Sequence, residues 1–331
     1  MPTEEEKKLF GDLEKFPNTI ALELTNMCNG GCLFCPRSKM TRQTGVMDFD
    51  LFKKIVDQGI EGGVETFVLH WFGETTLIKD WLKYVAYIRE KDPNLTKRIG
   101  LYTNGTGLTN PTELLELRPK VIAFHIEGID EESHNVVQPG TDWQNVTNNF
   151  FKFVEAKNSD PKYRYTTVQT HFTIGNFPRK DGTFLDTATH IQRYNELFRI
   201  EGVDDTGGVS YIPWFDNLTP VEYRSSPLRF WPVDRRGPCL YLWTALTVAW
   251  DGRITMCCKD FDLSYKDLGD LTKESVLDAW NSFERRYLRY LHLSRQVQDL
   301  PCATCYFPYF NQHGKNYGWK SFMKEFWEDA D

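Results

Sequence analysis

Three cysteines, Cys28, Cys32 and Cys35, stand in a CxxxCxxC run, Thr25-Asn-Met-Cys28-Asn-Gly-Gly-Cys32-Leu-Phe-Cys35-Pro36. The run follows an apolar stretch, Ile20-Ala-Leu-Glu-Leu24, that reads as a first strand. Three thiolates on one short loop can hold three irons of a cubane cluster and leave the fourth without a protein ligand, open to a substrate or cofactor. Zinc, which prefers paired CxxC units or mixed Cys/His sets of four, and a disulfide framework, which would leave one thiol over, are the competing readings. The other five cysteines, Cys239, Cys257, Cys258, Cys302 and Cys305, all fall in the last third. Asp251-Gly252 between two β-like runs, Leu246 to Trp250 and Arg253 to Met256, predicts a hairpin that brings its flanking cysteines to one side. Cys302-Ala-Thr-Cys305 adds a pair after a helix expected around Ser275 to Leu293. Four thiolates from Cys239, Cys257, Cys302 and Cys305 make a closed site, for an iron-sulfur cluster or for zinc. A closed cluster has no iron open to substrate and serves as an electron relay or acceptor. Cys258 is left over, either a small buried residue beside the cluster strand or a hydrogen-atom donor.

Positioning these groups falls to alternating strands and helices. Apolar β-rich runs at Glu65 to His70, Ile99 to Thr103, Val121 to Ile126, Thr166 to Phe172 and Gly208 to Ile212 follow the first strand. Amphipathic helical patterns lie between them at about Asp48 to Gln58, Lys79 to Lys91, Pro111 to Leu117, Asp142 to Lys157 and Thr187 to Phe198. Such alternation argues for parallel βα units, six strands in all, give or take one. The chain has 331 residues, enough for one large domain and a smaller appendage, and a net charge of −7, which argues against a nucleic-acid partner. The N-terminus has no apolar signal core and no run of eighteen apolar residues occurs, so the expectation is a soluble cytoplasmic protein without a membrane partner. Eight cysteines in a reducing compartment read as metal ligands rather than four disulfides.

The cysteine loop resembles that of the radical SAM superfamily, whose CxxxCxxC follows the first strand of a partial (β/α)6 TIM-like barrel. The resemblance implies a 4Fe-4S cluster on Cys28, Cys32 and Cys35 whose open iron chelates S-adenosylmethionine, cleaved by one electron to a 5'-deoxyadenosyl radical. In a parallel barrel the chemistry sits beyond the carboxyl ends of the strands. There, His70-Trp71-Phe72-Gly73-Glu74-Thr75 resembles the family's GGEP loop at Gly73 and Glu74, which implies that Glu74 takes the ammonium of S-adenosylmethionine. Thr103-Asn104-Gly105 matches a TNG segment, and His125-Ile126-Glu127-Gly128 stands where many members carry Ser-x-Asp-Gly near the ribose. A helix-capping acid at Glu74 and a packed histidine at His125 are the structural alternatives.

The last third is similar to the SPASM auxiliary-cluster extension, or to its shortened twitch form, through Cys239-x12-Gly252-x4-Cys257, Leu268-Gly-Asp-Leu271 and Ala279-Trp-Asn281. The resemblance implies one auxiliary 4Fe-4S cluster on Cys239, Cys257, Cys302 and Cys305. The implied layout is an extension over 1–18, the barrel over 19–212, a connection over 213–238 and a C-terminal α+β domain over 239–331. Cys239 and Cys257 are separated by 17 residues, as in twitch enzymes that oxidise aminocyclitol alcohols. The expected activity is oxidation of an alcohol of a carbohydrate or aminocyclitol, with the auxiliary cluster as electron acceptor and a flavodoxin or ferredoxin as donor. The alternatives are an epimerase or a peptide-modifying enzyme using Cys258. Only 18 residues precede the first strand, which favours a small polar metabolite over a peptide substrate. Tyr211 to Phe215, Phe230 to Pro232, Arg224 and Arg229 in the connection are candidates for stacking on or holding the substrate, with packing and solvated surface as the alternatives.

Overall fold

The computed structural model describes residues 16–174, 181, 183, 187–210, 239, 241–265, 268–294 and 296–303. In chain order these form β1 (Thr19–Leu22), α1 (Phe49–Glu61), β2 (Thr66–Val68), α2 (Leu82–Lys91), β3 (Arg98–Thr103), α3 (Pro111–Glu116) and β4 (Val121–His125). There follow α4 (Glu131–Val137), α5 (Trp143–Ser159), β5 (Thr167–Ile174), α6 (Thr187–Phe198), β6 (Asp205–Ser210), α7 (Tyr241–Thr244), β7 (Ala245–Val248), β8 (Ile254–Thr255), α8 (Val276–Trp280) and α9 (Phe283–Leu293). They belong to two compact units. One gathers the stretches ending at Leu22, spanning Met47–Thr66 and following Pro213; the other holds Glu23–Val46 and Phe67 onward to Ile212.

In the second unit β3, β4, β5 and β6 pair in parallel, with Gly100 opposite Val121, Val121 opposite Thr167 and Gln169 opposite Asp205. Leu69 N–H donates to Gly100 O at 2.9 Å, continuing the ladder from the end of β2. The strands are apolar on both faces: Val121, Ile122, Ala123 and Phe124 are all fully buried, as central strands covered by helices must be. On α5, Val146, Phe150, Phe153 and Val154 are buried at helical spacing. Phe150 and Phe153 meet Phe124 edge to face at 5.2 and 5.5 Å, and Phe198 of α6 closes on Phe150 at 5.4 Å. Each such aromatic pair adds about 0.5–1.5 kcal/mol beyond its buried area.

In the first unit β1 pairs in parallel with β7, Thr19 opposite Ala245 through Leu22 opposite Val248, and β7 turns antiparallel into β8. The predicted hairpin is present, with Gly252 at a φ of +91° that disfavours other residues, but it also extends the ladder of the first strand. The Lys54 ammonium on α1 donates to Leu271 O and Glu274 O at 2.7 and 2.9 Å.

The helix expected over Ser275 to Leu293 is two helices. Ser275 Oγ accepts from Asp278 N at 3.1 Å and Ser282 Oγ from Arg285 N at 3.4 Å, so the second serine starts a new helix in the middle of the pattern. The short α4 was not anticipated. Its N-terminus is a capping box, Ser133 N donating to Asp130 Oδ1 at 2.8 Å and Ser133 Oγ accepting from Asp130 N at 3.2 Å. No helix among the described residues is long and apolar enough to cross a membrane.

Candidate functional site

The cysteine loop is held from both sides by backbone. Gly31 N donates to Pro139 O at 2.6 Å and Leu33 N to Val137 O at 3.0 Å, both in the turn that closes α4. Gly140 lies so close that a Cβ there would sit 2.3 Å from Asn29 O. On the other side Glu74 N donates to Met27 O at 2.7 Å. A Cβ on Gly73, whose φ is +85°, would fall 2.2 Å from Thr25 O. Glycine is therefore demanded at Gly73 by both torsion and space. Within the loop, Gly30 N donates to Cys28 Sγ at 3.3 Å, and the Cβ position of Gly30 is within 3.7 Å of the sulfurs of both Cys28 and Cys32. Arg37 donates to Gly30 O at 2.9 Å.

Burial pushes all three thiols up, Cys28 to about 11, and Cys32 is raised further by Glu127, Cys35 and Cys28. Metal ligation requires thiolates, and three like charges on one short, part-buried loop are tolerated only when a metal group replaces the protons. Among the described residues no three Cys, His, Asp or Glu side chains are gathered for a single metal ion. The donor set, three sulfurs with backbone N–H around them, fits an iron-sulfur cluster with Cys28, Cys32 and Cys35 as its holders.

Glu74 is buried, only 2% exposed. Its Oε1 accepts from Thr76 N at 3.1 Å, Thr76 Oγ1 at 2.7 Å and Thr103 Oγ1 at 2.8 Å, and its Oε2 accepts from Asn104 N at 2.7 Å. The capping role, one of the two readings of this residue, is thus present: the carboxylate starts the short 3-10 turn Thr75–Leu77. It also ties the ends of β2 and β3 together. All four donors are neutral, and burial still holds the carboxyl above its ordinary value against them. A carboxylate has about four lone-pair sites, so Oε2 keeps room for one cation. Asn104 carries the network to the cysteines: its Nδ2 donates to Asn29 Oδ1 at 2.9 Å and lies 4.0 Å from Cys28 Sγ. Trp71 and Phe72, which depart from the family's pattern, are buried, Trp71 beneath the Arg42 guanidinium at 4.7 Å.

Across the strand ends runs a row that the sequence did not disclose. His70, Tyr102, His125 and His171, after β2, on β3, at the end of β4 and on β5, have successive ring centroids 5.6, 6.1 and 5.5 Å apart. Parallel register places His125 directly opposite His171. Burial lowers His70 and His125 to about 3 and His171 to about 4, the next imidazole in the row adding to the first two. The His125 side chain nonetheless keeps 35% of its surface accessible. His70 Nδ1 is buried with no hydrogen-bond partner among the described residues. Glu127 is buried, its Oε1 4.0 Å from His125 Nδ1, and its carbonyl accepts from His134 Nδ1 at 2.7 Å. His125 is therefore neither a fully enclosed core residue nor isolated beside Glu127; it belongs to a neutral imidazole wall.

The C-terminal cysteines lie in the other unit. Cys239 N donates to His292 Nδ1 at 3.4 Å, Lys259 N donates to Cys257 Sγ at 3.4 Å, and Cys302 is buried. Cys258 is half-buried beside them. Cys305 and the aromatic and arginine candidates of the connection lie outside the described residues. On α9 the buried residues are Arg285, Leu288, Arg289, Leu291 and His292 among those described. Arg285 and Arg289 sit 4.6 and 4.3 Å from the Trp280 ring centroid. Arg289 Nε donates to Leu242 O at 2.7 Å. Burial lowers Arg285 to about 9 and Arg289 to about 10, so both stay charged at neutral pH. Burying an ion costs several kcal/mol, whereas a desolvated cation-π contact returns about 2 kcal/mol.

Sequence reasoning missed the α4 clamp, for which Asp130-x-x-Ser133 followed by Pro139-Gly140 was the available signal. It also missed His70, His171 and the α9 arginines, which only strand register and tertiary packing bring into place.

Comparison with known proteins agrees with this architecture. The family model for the radical SAM superfamily matches residues 22–180, and that for an iron-sulfur cluster-binding domain, SPASM, matches residues 239–306. A tungsten-containing aldehyde ferredoxin oxidoreductase cofactor-modifying protein from Pyrococcus furiosus is 23% identical over 316 residues, covering 86% of each chain. An S-adenosyl-L-methionine-dependent 2-deoxy-scyllo-inosamine dehydrogenase from Niallia circulans is 32% identical over 102 residues, 29% of this chain and 39% of that protein. The fold resembles anSMEcpe with bound AdoMet and a Cp18Cys peptide, with a TM-score of 0.62 at 16% identity over 94% of this chain and 96% of that one. The domains imply a 4Fe-4S cluster that binds S-adenosylmethionine and an auxiliary iron-sulfur cluster. The chain belongs to the radical SAM superfamily, its TIM-like α/β domain followed by a C-terminal SPASM domain.

Proposed function

We propose that this radical SAM enzyme oxidises an alcohol carbon of a polyhydroxylated small molecule, a carbohydrate or aminocyclitol. The observation that carries the reading is the row of His70, His125 and His171 at the strand ends, linked through Tyr102 at ring spacings of 5.6, 6.1 and 5.5 Å. When bound, the cluster and S-adenosylmethionine supply the one-electron chemistry that removes hydrogen from an unactivated carbon. Cys28, Cys32 and Cys35 hold that cluster, and Glu74 Oε2 takes the ammonium of S-adenosylmethionine while Asn104 N keeps the carboxylate oriented. His70, His125 and His171 present neutral nitrogens that hold substrate hydroxyls. His125, 4.0 Å from the Glu127 carboxylate, accepts the hydroxyl hydrogen of the carbon being oxidised, and Glu127 steadies the positive charge that this transfer creates. Cys239, Cys257, Cys302 and Cys305 would hold the auxiliary cluster, which would supply the electron acceptor, and a flavodoxin or ferredoxin would supply the first electron. The 17-residue spacing of Cys239 and Cys257 and the two curated relatives, named for a cofactor and for an aminocyclitol, support a small-molecule substrate.

The test uses a panel of polyols and aminocyclitols deuterated at each carbinol carbon, incubated anaerobically with reductant and S-adenosylmethionine. The label should pass to 5'-deoxyadenosine and a ketone should form, in wild type and in Cys258→Ala alike. Inverted alcohol carrying one solvent deuterium, lost in Cys258→Ala, would replace oxidation by epimerisation. Turnover of peptides and of no polyol would refute the substrate class.

A further inference from the structure

The buried stripe of α9 carries three N–H groups that the described residues leave without acceptors. Arg285 Nε, Arg289 Nη2 and His292 Nε2 are buried and have no hydrogen-bond partner among the described residues. All three side chains are more than nine-tenths buried: Arg285 is 1% exposed, Arg289 0% and His292 4%. Because His292 Nδ1 accepts from Cys239 N, its hydrogen is on Nε2, an orphan donor. Neither arginine forms an ion pair among the described residues, and their contacts are carbonyls and the faces of Trp280.

Two buried cations without an anion, and three donors without acceptors, require an anionic, acceptor-rich neighbour. The same helix face meets both expected ligand segments. His292 takes the Cys239 amide, and Arg285 points an Nη toward Thr255 O at 3.5 Å, Thr255 in turn donating to Cys257 O at 3.1 Å. A 4Fe-4S cluster with four thiolates carries a net negative charge that grows by one on reduction, and its sulfurs accept hydrogen bonds.

We propose that Arg285, Arg289 and His292 are the charge and hydrogen-bond partners of the auxiliary cluster, and that they raise its reduction potential so that it takes an electron from substrate. The inference rests on the reading that Cys239, Cys257 and Cys302 help to hold that cluster. In the step concerned, the hydrogen-abstracted carbinol carbon loses one electron and its hydroxyl proton to become a ketone. The proton goes to a base, and the single electron enters the auxiliary cluster, which is reduced by one. Buried positive charge favours the more negative, reduced form; surface lysines would be screened and would not. Arg285 and Arg289 act here as positioning and tuning residues.

The test is an anaerobic redox titration followed by electron paramagnetic resonance, on full-length protein in which Cys28→Ala, Cys32→Ala and Cys35→Ala leave only the auxiliary site. Arg285→Met or Arg289→Met should shift the one-electron equilibrium at least tenfold toward the oxidised form, about 59 mV. Arg289→Lys, which keeps the charge, should shift it much less. Should a methionine variant fail to assemble the cluster, Arg289→Gln against Arg289→Lys makes the same comparison. A loaded cluster whose potential is the same in the methionine or glutamine variant as in the parent overturns this proposal and leaves the cluster reading standing. Zinc in place of iron at this site in wild-type protein overturns both, and metal analysis separates the two failures.

Discussion

Replacing Glu74 by glutamine separates the two duties that the structure allows this residue. The carboxylate accepts four hydrogen bonds, three on Oε1 and one on Oε2, at 2.7–3.1 Å. Glutamine can keep its oxygen where the two threonines need it, but its NH2 group then faces Asn104 N–H, donor against donor. Leaving that buried N–H unsatisfied costs about 1–3 kcal/mol, and turning three charge-assisted bonds into neutral ones costs about 0.5–1 kcal/mol each. The expected loss of folding stability is about 2.5–6 kcal/mol, read by urea unfolding under argon. If Oε2 also holds the ammonium of S-adenosylmethionine, about 1.5–3 kcal/mol of binding goes with it, raising the calorimetric Kd roughly ten- to hundredfold. Thr103→Val, which removes one donor and leaves the charge, should cost about 1 kcal/mol of stability and leave the Kd unchanged. An unchanged Kd in folded, cluster-loaded Glu74→Gln refutes the ammonium assignment and leaves Glu74 as a cap. A stability loss below about 0.5 kcal/mol refutes the four-bond network itself.

Reconstituted wild-type protein should carry two 4Fe-4S clusters, about eight irons per chain; changing Cys28, Cys32 and Cys35 together to alanine should remove about half the iron and all cleavage of S-adenosylmethionine, and retained cleavage would end the assignment of the first site. Gly73→Ala should destabilise the protein by more than about 1 kcal/mol, because a Cβ 2.2 Å from Thr25 O forces the cysteine loop away; a neutral effect in urea unfolding would mean the contact is not held in solution. The folded value of His70, about 3 against an ordinary 6.5, means that the unfolded chain takes up the proton first as pH falls. Stability present at and above pH 6.5 is lost toward pH 3, by up to about 1.4 kcal/mol per pH unit before allowance for solvent near the ring. His70→Gln should flatten that acid slope between pH 6.5 and 5, and an unchanged slope would show that the ring is already protonated or solvated.

What the chain announces locally was legible. CxxxCxxC after an apolar strand, glycine and acid after the next, and Thr103-Asn104 after the third are short-range signals, and the network of Glu74, Asn104 and the cysteine loop joins all three. What depends on register was not. His125 meets His171 because β4 and β5 align Val121 with Thr167, and nothing in either strand's own sequence states that offset. Helix pattern was equally blind to the break at Asn281-Ser282, since the apolar spacing continues through it while the serine cap interrupts it. The arginines of α9 are buried by packing against Trp280 and Leu242, which no helical spacing states.

The pairing of β1 with β7 gives the protein an unusual order of completion on the ribosome. Thr19–Leu22 is synthesised well before its partner Ala245–Val248, with 222 residues between Leu22 and Ala245. At about 5–20 residues per second, the wait is roughly ten to fifty seconds. Throughout that time one edge of the strand leading into Cys28 stays without its neighbour, a template for wrong pairing between nascent chains. Slower translation before residue 245, or fewer chaperones, should therefore lower the yield of soluble protein without touching any residue of the site.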